Sequence, residues 1–166
     1  MVGKLMAGIV LLVGGVLAYE HGHRISDADV RAHFNAQLEA TRRFDSEAMC
    51  AVLAKDFRVQ AVEHVAGQQL RYNAGRDEAC GHLRDAMVML ETLSNQTGGL
   101  FVIDFSYEIT RLEVAPGGRR ALVEATATAK LGDRLLWRTR SKENLSRAFW
   151  RVREHGGEAQ SWMYVN

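Results

Sequence analysis

The sequence has little of several residues that mark specialised protein classes. It contains one proline and two cysteines among 166 residues, which excludes collagen-like and proline-rich architectures. Its 21 Lys and Arg nearly balance its 20 Asp and Glu, for a formal net charge of +1. A dedicated nucleic-acid-binding domain usually has a large basic excess, so we expect no nucleic-acid partner.

Motifs that mark common catalytic and cofactor sites are also absent. The chain has no Gly-x-Gly-x-x-Gly, no phosphate-binding loop, no Gly-x-Ser-x-Gly and no His-Glu-x-x-His. Its cysteines lack Cys-x-x-Cys spacing, and His21 and His23 have no third ligand nearby in the sequence. We therefore expect no metal and no organic cofactor.

The chain does have a folded composition, with 47% hydrophobic and 25% charged residues. Its long apolar run, residues 5 to 19, is uncharged and as a helix is about 22 Å long, against about 30 Å for a hydrocarbon core. A helix of residues 1 to 19 approaches the minimal length that spans a membrane, provided that the Lys4 side chain snorkels to the surface. Val16-Leu17-Ala18 also matches the small-residue pattern at which a signal peptidase cleaves.

Two interpretations of this segment stay open. Residues 1 to 24 are either a membrane anchor or a cleaved signal peptide, and residues 25 to 166 are one domain. An anchor predicts a bacterial-type inner-membrane protein with a periplasmic domain. A cleaved leader predicts a secreted or periplasmic protein.

Cys50 and Cys80 both lie in the globular part of the chain. A bond between them would close a loop of about 30 residues and stabilise the fold by roughly 3 to 4 kcal/mol in the chain-entropy model. The alternative is that both are small buried hydrophobic side chains. Because an exported domain folds in an oxidising compartment, we favour the disulfide.

The first half of the domain is mainly helical in its spacing. Val30, Phe34 and Leu38 repeat every four residues, as on one face of a helix. Helices are predicted over residues 27 to 44, in a short segment after residue 45, and over residues 75 to 93. Alternation between the second and third helices predicts a hairpin of residues 56 to 65 and 68 to 72.

From residue 101 onward the period is that of strands. Strands are predicted over residues 101 to 110, 121 to 130, 143 to 153 and 159 to 165. Gly156-Gly157 is predicted to be the turn between the last two. Helices followed by antiparallel strands predict an α+β domain with its helices on one face of a curved sheet.

Three segments carry a resemblance to a known family. They are residues 53 to 59 (LAKDFRV), residues 73 to 79 (NAGRDEA), and residues 148 to 152 (AFWRV) with the following Gly156-Gly157. Over residues 27 to 166 the chain resembles the nuclear-transport-factor-2-like superfamily, which includes SnoaL-like cyclases and ketosteroid isomerase. The resemblance implies a cone of three helices packed on a curved, mostly antiparallel sheet. It implies no single activity, because the superfamily holds both enzymes and non-catalytic modules.

The resemblance also implies a pocket between the helices and the sheet. Alanines in the strand over residues 121 to 130 leave volume unfilled opposite an apolar wall, as in a site for a small apolar ligand. The candidate lining residues are Phe34, Phe101, Ile103, Phe105, Tyr107, Ala125, Ala127 and Trp150. The alternative is that methionines and Trp150 fill this space.

Candidate acids and bases follow from the same resemblance. Isomerase-like members carry a general base on the first strand, at a position that corresponds to Ala61 here. Glu63, on the same face, is the candidate base if burial raises its pKa, and Tyr107 is the candidate to polarise a substrate oxygen. His33 is a further candidate, since dehydratase-like members line the cavity with histidines. The alternative for Glu63 is a solvated surface charge.

Charge is unevenly distributed along the chain. Residues 111 to 153 hold 11 Lys and Arg against 4 Asp and Glu. This stretch would meet an anionic partner or membrane surface, or be paired across strands. Members of the superfamily often dimerise through the sheet, so a homodimer is an expected partner state.

Two functional interpretations result. We favour an exported, non-catalytic domain, tethered to the membrane by residues 5 to 19, that dimerises, binds a partner or takes a small apolar ligand. The alternative is a SnoaL-like isomerase, dehydratase or cyclase that acts in the cone. An enzyme requires Glu63 and Tyr107 to point into one open pocket.

Overall fold

A computed structural model of the chain describes residues 18–96 and 103–164. Residues 18 to 23 are helical. The helices that follow are α1 (Asp27–Arg42), α2 (Ser46–Ala51) and α3 (Arg76–Gln96). The strands are β1 (Leu53–Val65), β2 (Gln68–Gly75), β3 (Ile103–Val114), β4 (Arg120–Leu131), β5 (Arg134–Ala148) and β6 (Arg151–Met163).

The strands form one sheet in the order β2-β1-β6-β5-β4-β3. The β1–β6 pair is parallel, and the other neighbouring pairs are antiparallel. The β1–β2 hairpin therefore joins the later meander at the middle of the sheet. The predicted α+β class, with helices on a curved and mostly antiparallel sheet, is confirmed.

Helix α1 is held at its N-terminus by a capping box. The Asp29 amide donates to the Ser26 hydroxyl, and the Asp29 carboxylate accepts from the Ser26 amide at 2.9 Å. The same carboxylate binds Arg147 of β5 at 3.0 Å, with both side chains largely buried. Below it, Val30 and Leu145 are fully buried in the larger apolar core. These contacts fix α1 across β5.

A second, smaller core lies between α2, α3 and β1. Cys50 and Cys80 are joined by a disulfide, with their Cα atoms 5.5 Å apart. Leu53 and Phe57 complete this cluster. The predicted disulfide is confirmed, and it ties the short helix α2 to α3.

Gly156 and Gly157 do not form the turn that the sequence predicts. They lie inside β6, and the β5–β6 turn is Phe149-Trp150, whose φ angles are 49° and 63°. A Cβ on Gly156 would lie 1.9 Å from the Arg58 carbonyl oxygen, and one on Gly157 equally close to the backbone of β5. Glycine is therefore needed here for the close approach of three strands.

The predicted membrane segment, residues 5 to 19, falls almost wholly outside the described residues. Among the residues that the structure describes, no helix is long and apolar enough to cross a membrane. The anchor and the cleaved signal peptide both stay predictions.

Candidate functional site

Side chains of the sheet alternate between a helix-facing side and an outer side. The strand registers align helix-facing residues into layers that cross the sheet. One layer, here called the small-residue layer, contains Ala125, Ser141, Ala159 and Ala61. The next layer toward the narrow end of the cone contains Val123, Glu143, Gly157 and Val59.

The small-residue layer leaves part of the two central strands exposed. Ser141 and Ala159 keep part of their surface exposed although β5 and β6 are the central strands of the sheet. Met87 is buried, but Met89, which the filled-cone alternative also requires, is 57% exposed. Small side chains on the central strands therefore occupy little of the volume between the sheet and the helices, where a ligand site would lie.

Four polar residues meet at the base of this space, and we call them the acid cluster. They are His33 of α1, Ser141 and Glu143 of β5, and Glu154 of β6. The His33 Nε2 and Glu154 Oε1 atoms are 2.7 Å apart, with the His33 side chain only 5% exposed. The Ser141 hydroxyl donates to Glu143 Oε1 at 2.5 Å.

Glu143 is the electrostatically unusual member of the acid cluster. Burial, followed by repulsion from Glu154, raises the pKa of Glu143 to about 7 from its ordinary 4.5. The Ser141 hydrogen bond and the attraction of His33 act in the opposite direction, toward a lower pKa. A carboxyl group with this pKa exchanges protons at neutral pH and can act as either acid or base.

Tyr107 lies at the wall of the cone next to α1. Its hydroxyl donates to Asn35 Oδ1 at 2.7 Å, and its ring contacts Phe34 with centroids 5.3 Å apart. Registers place it one layer beyond the small-residue layer, in line with Ala127 and Thr139. It therefore faces the same side of the sheet as Glu143.

Glu63 lies in the layer of Tyr107 but far across the sheet. Its carboxylate accepts a hydrogen bond from the Tyr72 hydroxyl at 2.9 Å. Burial first, then the hydrogen bond and charge of Glu63, raises the pKa of Tyr72 to about 12. Four strand spacings separate Glu63 from Tyr107, about 19 Å along the sheet. The structure does not bring these two candidates together.

The other predicted pocket residues lie in different environments. Phe34, Ile103, Phe105 and Ala127 are partly buried on the helix-facing side, whereas Ala125 is buried in the larger core. Phe101 lies outside the described residues. The prediction for Trp150 is wrong: this residue is 56% exposed in the β5–β6 turn and packs against Gly22. It belongs to the β5–β6 turn, with a positive φ, and not to a strand of the sheet.

Sequence reasoning identified His33 but missed Ser141, Glu143 and Glu154. They were missed because the predicted strand begins at residue 143, whereas β5 begins at Arg134. Once β5 is extended, alternation places Ser141 and Glu143 on the same face as the buried Leu145. An acidic residue on the buried face of a central strand was the available signal.

The outer side of the sheet has a separate polar groove of about 690 Å³. Its basic side chains on β5 lie between acidic side chains on β6 and β4, with a further acid on β3 and a further base on β2. They are Arg71, Arg138, Arg140 and Lys142 on one hand and Glu108, Glu124 and Glu158 on the other. The basic stretch of the sequence is thus interleaved with acidic residues on this side.

Metal ligands are not grouped in the described part of the chain, where no three His, Cys, Asp or Glu could hold an ion together. No protein-family model and no curated protein matches the sequence.

Solved structures do match the fold. An NTF2-like protein of unknown function from Pseudomonas putida shares 17% identity, with 81% of this chain and 84% of that chain covered and a TM-score of 0.52. One from Shewanella baltica shares 11% identity over 81% and 91%, with a TM-score of 0.53. One from Silicibacter pomeroyi shares 15% over 82% and 94%, with a TM-score of 0.50.

Helices packed on one side of a curved, mixed sheet define a cone-like α+β domain. The similarity to these solved structures identifies the cone as the NTF2-like fold. At these identities the likeness concerns the fold alone.

Proposed function

We propose that this domain binds a small molecule inside the cone and exchanges a proton with it through Glu143. The observation that carries the proposal is a partly buried carboxyl group with a pKa of about 7 beside the small-residue layer. Perturbed acids of this kind occur preferentially at functional sites. Removing a charged group from water destabilises a fold, and nothing in the larger core requires an acid at this position.

The surroundings indicate the chemical class of the ligand. Apolar and aromatic side chains of α1 and β3 form one wall, and the small-residue layer forms the floor. A small, mainly apolar molecule with one acidic C–H or hydroxyl group near Glu143 suits this space. Proton transfer within such a molecule corresponds to isomerisation or dehydration.

The roles of the other residues follow from their contacts. Ser141 orients the Glu143 carboxyl through its 2.5 Å hydrogen bond. Glu154, held by His33, keeps the Glu143 pKa high by repulsion. Tyr107 offers a phenol on the opposite wall for a substrate oxygen, once it exchanges its bond to Asn35.

Carbon-13 NMR of labelled glutamate carboxyl groups tests the acid directly. One carboxyl signal should titrate near pH 7, and it should be absent from Glu143→Gln but present in Glu158→Gln, which alters an outer-side acid. If no glutamate titrates above pH 6, the proposal is wrong.

Binding of the fluorescent probe 1-anilinonaphthalene-8-sulfonate tests the pocket. Ala159→Phe places a ring in the cone, whereas Gln160→Phe places the same ring on the outer side of the same strand. We expect Ala159→Phe to weaken binding at least tenfold and Gln160→Phe to leave it unchanged. The reverse ranking would exclude the cone as the binding site.

The cellular location that we propose for this domain rests on its sequence alone. Residues 5 to 19 would export the domain and, if retained, tether it to a bacterial-type inner membrane. Interaction through the outer side of the sheet is a second candidate function, favoured by the interleaved charges of the polar groove. A surface of interleaved basic and acidic side chains suits pairing with a second copy of the chain. Light scattering should then show a dimer that dissociates as salt concentration rises.

A further inference from the structure

Three polar side chains form a hydrogen-bonded chain on the outer side of the sheet, away from the cone. His155 Nδ1 lies 2.7 Å from Asp56 Oδ1, and His155 Nε2 lies 2.8 Å from Ser146 Oγ. An ionised carboxylate only accepts hydrogen bonds, so Nδ1 carries the proton and donates to Asp56. When the imidazole is neutral, its Nε2 accepts from the Ser146 hydroxyl. We call these residues the serine relay.

Irregular strand pairing builds the serine relay. Leu53 pairs with Glu154 and Arg58 pairs with Gly156, so residues 54 to 57 of β1 bulge opposite His155 alone. The β5–β6 register also shifts here, which leaves His155 without a paired residue on β5. Such β-bulges re-aim side chains and are over-represented beside active sites.

The serine relay is exposed to solvent, and both ring nitrogens of its imidazole are hydrogen-bonded. The side chains of Asp56 and His155 are 72% and 28% exposed, and Ser146 is partly exposed. The hydrogen bond from His155 is the main reason why the pKa of Asp56 lies below its ordinary value. All three side chains of the serine relay therefore belong to residues that contact solvent in the folded domain.

Arg120 adds a positive charge on the strand next to Ser146. It is the residue paired with Ser146 on β4, and it is exposed. Its charge also contributes to the lowered pKa of Asp56. A cation at this position is available to stabilise negative charge that develops on a substrate carbonyl oxygen.

We propose that Ser146 is the nucleophile of a second, hydrolytic site that cleaves small carboxylic esters. The proposal rests on the geometry of a hydroxyl, an imidazole and a carboxylate joined in that order. It is independent of Glu143, which lies on the helix-facing side of the sheet.

The reaction needs no component beyond the ester and water. Ser146 Oγ attacks the ester carbonyl while its proton passes to His155 Nε2, and the carbonyl oxygen becomes an oxyanion near Arg120. The carbon–oxygen bond to the alcohol breaks, and His155 returns the proton to the leaving alkoxide. Water, deprotonated by His155, then attacks the acyl-serine, and its proton returns to Ser146 as the carboxylic acid leaves.

A fluorophosphonate probe tests the nucleophile on the purified full-length chain. The serine oxygen displaces fluoride from the probe, which leaves a stable phosphonylated residue that peptide mass spectrometry locates. We expect labelling at Ser146, none there in Ser146→Ala, and a rate in His155→Gln lower by about 10²- to 10⁴-fold, as for loss of a general base. Hydrolysis of 4-nitrophenyl acetate should fall in parallel.

Matched variants separate chemistry from folding. Ser106→Ala removes another outer-side serine, bound to Thr128 rather than to a histidine, and should leave both rates unchanged. Asp56 is a positioning residue, so Asp56→Asn should slow labelling and Asp56→Glu should restore part of the rate. Ser146→Ala removes one hydroxyl and should melt near the parent temperature. Labelling elsewhere, no labelling, or an unchanged rate in His155→Gln would overturn the proposal.

Discussion

The carboxyl group of Glu143 couples the folding of the domain to pH. Its pKa is about 7 in the folded protein against 4.5 ordinarily, so the unfolded chain releases this proton first as pH rises. The stabilisation is complete below pH about 4.5 and is lost through pH about 7, a change of about 3 kcal/mol. Glu143→Gln should therefore unfold at higher urea concentration than the parent at pH 8, and at nearly the same concentration at pH 5.

The same comparison has a built-in control. Glu158→Gln alters an exposed acid one residue from the Gly157 partner of Glu143 and should give no difference that depends on pH. Greater destabilisation of Glu143→Gln at pH 8 than at pH 5 would show instead that the ionised carboxylate is favoured in the fold. A more stable but inactive Glu143→Gln is the outcome expected of a functional acid.

Within β6, Gly156 lets two neighbouring strands approach at the base of the cone. Its φ is +85°, and a Cβ there would overlap the Arg58 carbonyl oxygen at 1.9 Å. Gly156→Ala should lower the free energy of unfolding by about 3 kcal/mol or more, since both backbone strain and overlap oppose it. Gly117→Ala has a similar φ of +88° but nothing within 4 Å, and should cost about 1 to 2 kcal/mol from strain alone. Urea unfolding of both variants measures the difference, and equal losses would contradict a role in close approach.

Elements whose sequence pattern depends on residues close along the chain could be predicted, and features that depend on distant residues could not. Helix α1 and the alternating parts of β1, β3 and β4 were predicted because their periodicities are set by residues close in sequence. Phe149-Trp150 was missed as a turn because bulky residues seldom adopt positive φ, whereas Gly156-Gly157 resembles a turn. His33 was identified, but its partner Glu154 lies 121 positions away. Likewise Asp56 and His155 meet only through bulges, which no local pattern encodes.

The molecule as a whole rests on two apolar cores of unequal size. The larger packs α1 on β4 and β5, and the smaller packs α2 and α3 on β1 around the Cys50–Cys80 disulfide. Helix α3 also carries exposed apolar residues such as Val88 and Met89, at 62% and 57% exposure. The disulfide is therefore expected to contribute a large share of what holds α3 in place.

Reduction of the disulfide should loosen one side of the fold and spare the other. Removing the cross-link between Cys50 and Cys80 should lower the free energy of unfolding by roughly 3 to 4 kcal/mol in the chain-entropy model. Hydrogen exchange of the reduced chain should accelerate at amides of α2 and α3, and stay slow in β4 and β5, because the larger core contains neither cysteine. The double variant Cys50→Ala/Cys80→Ala should behave like the reduced parent and be insensitive to reductant. Uniform acceleration across both cores would instead show that the domain opens as one cooperative unit.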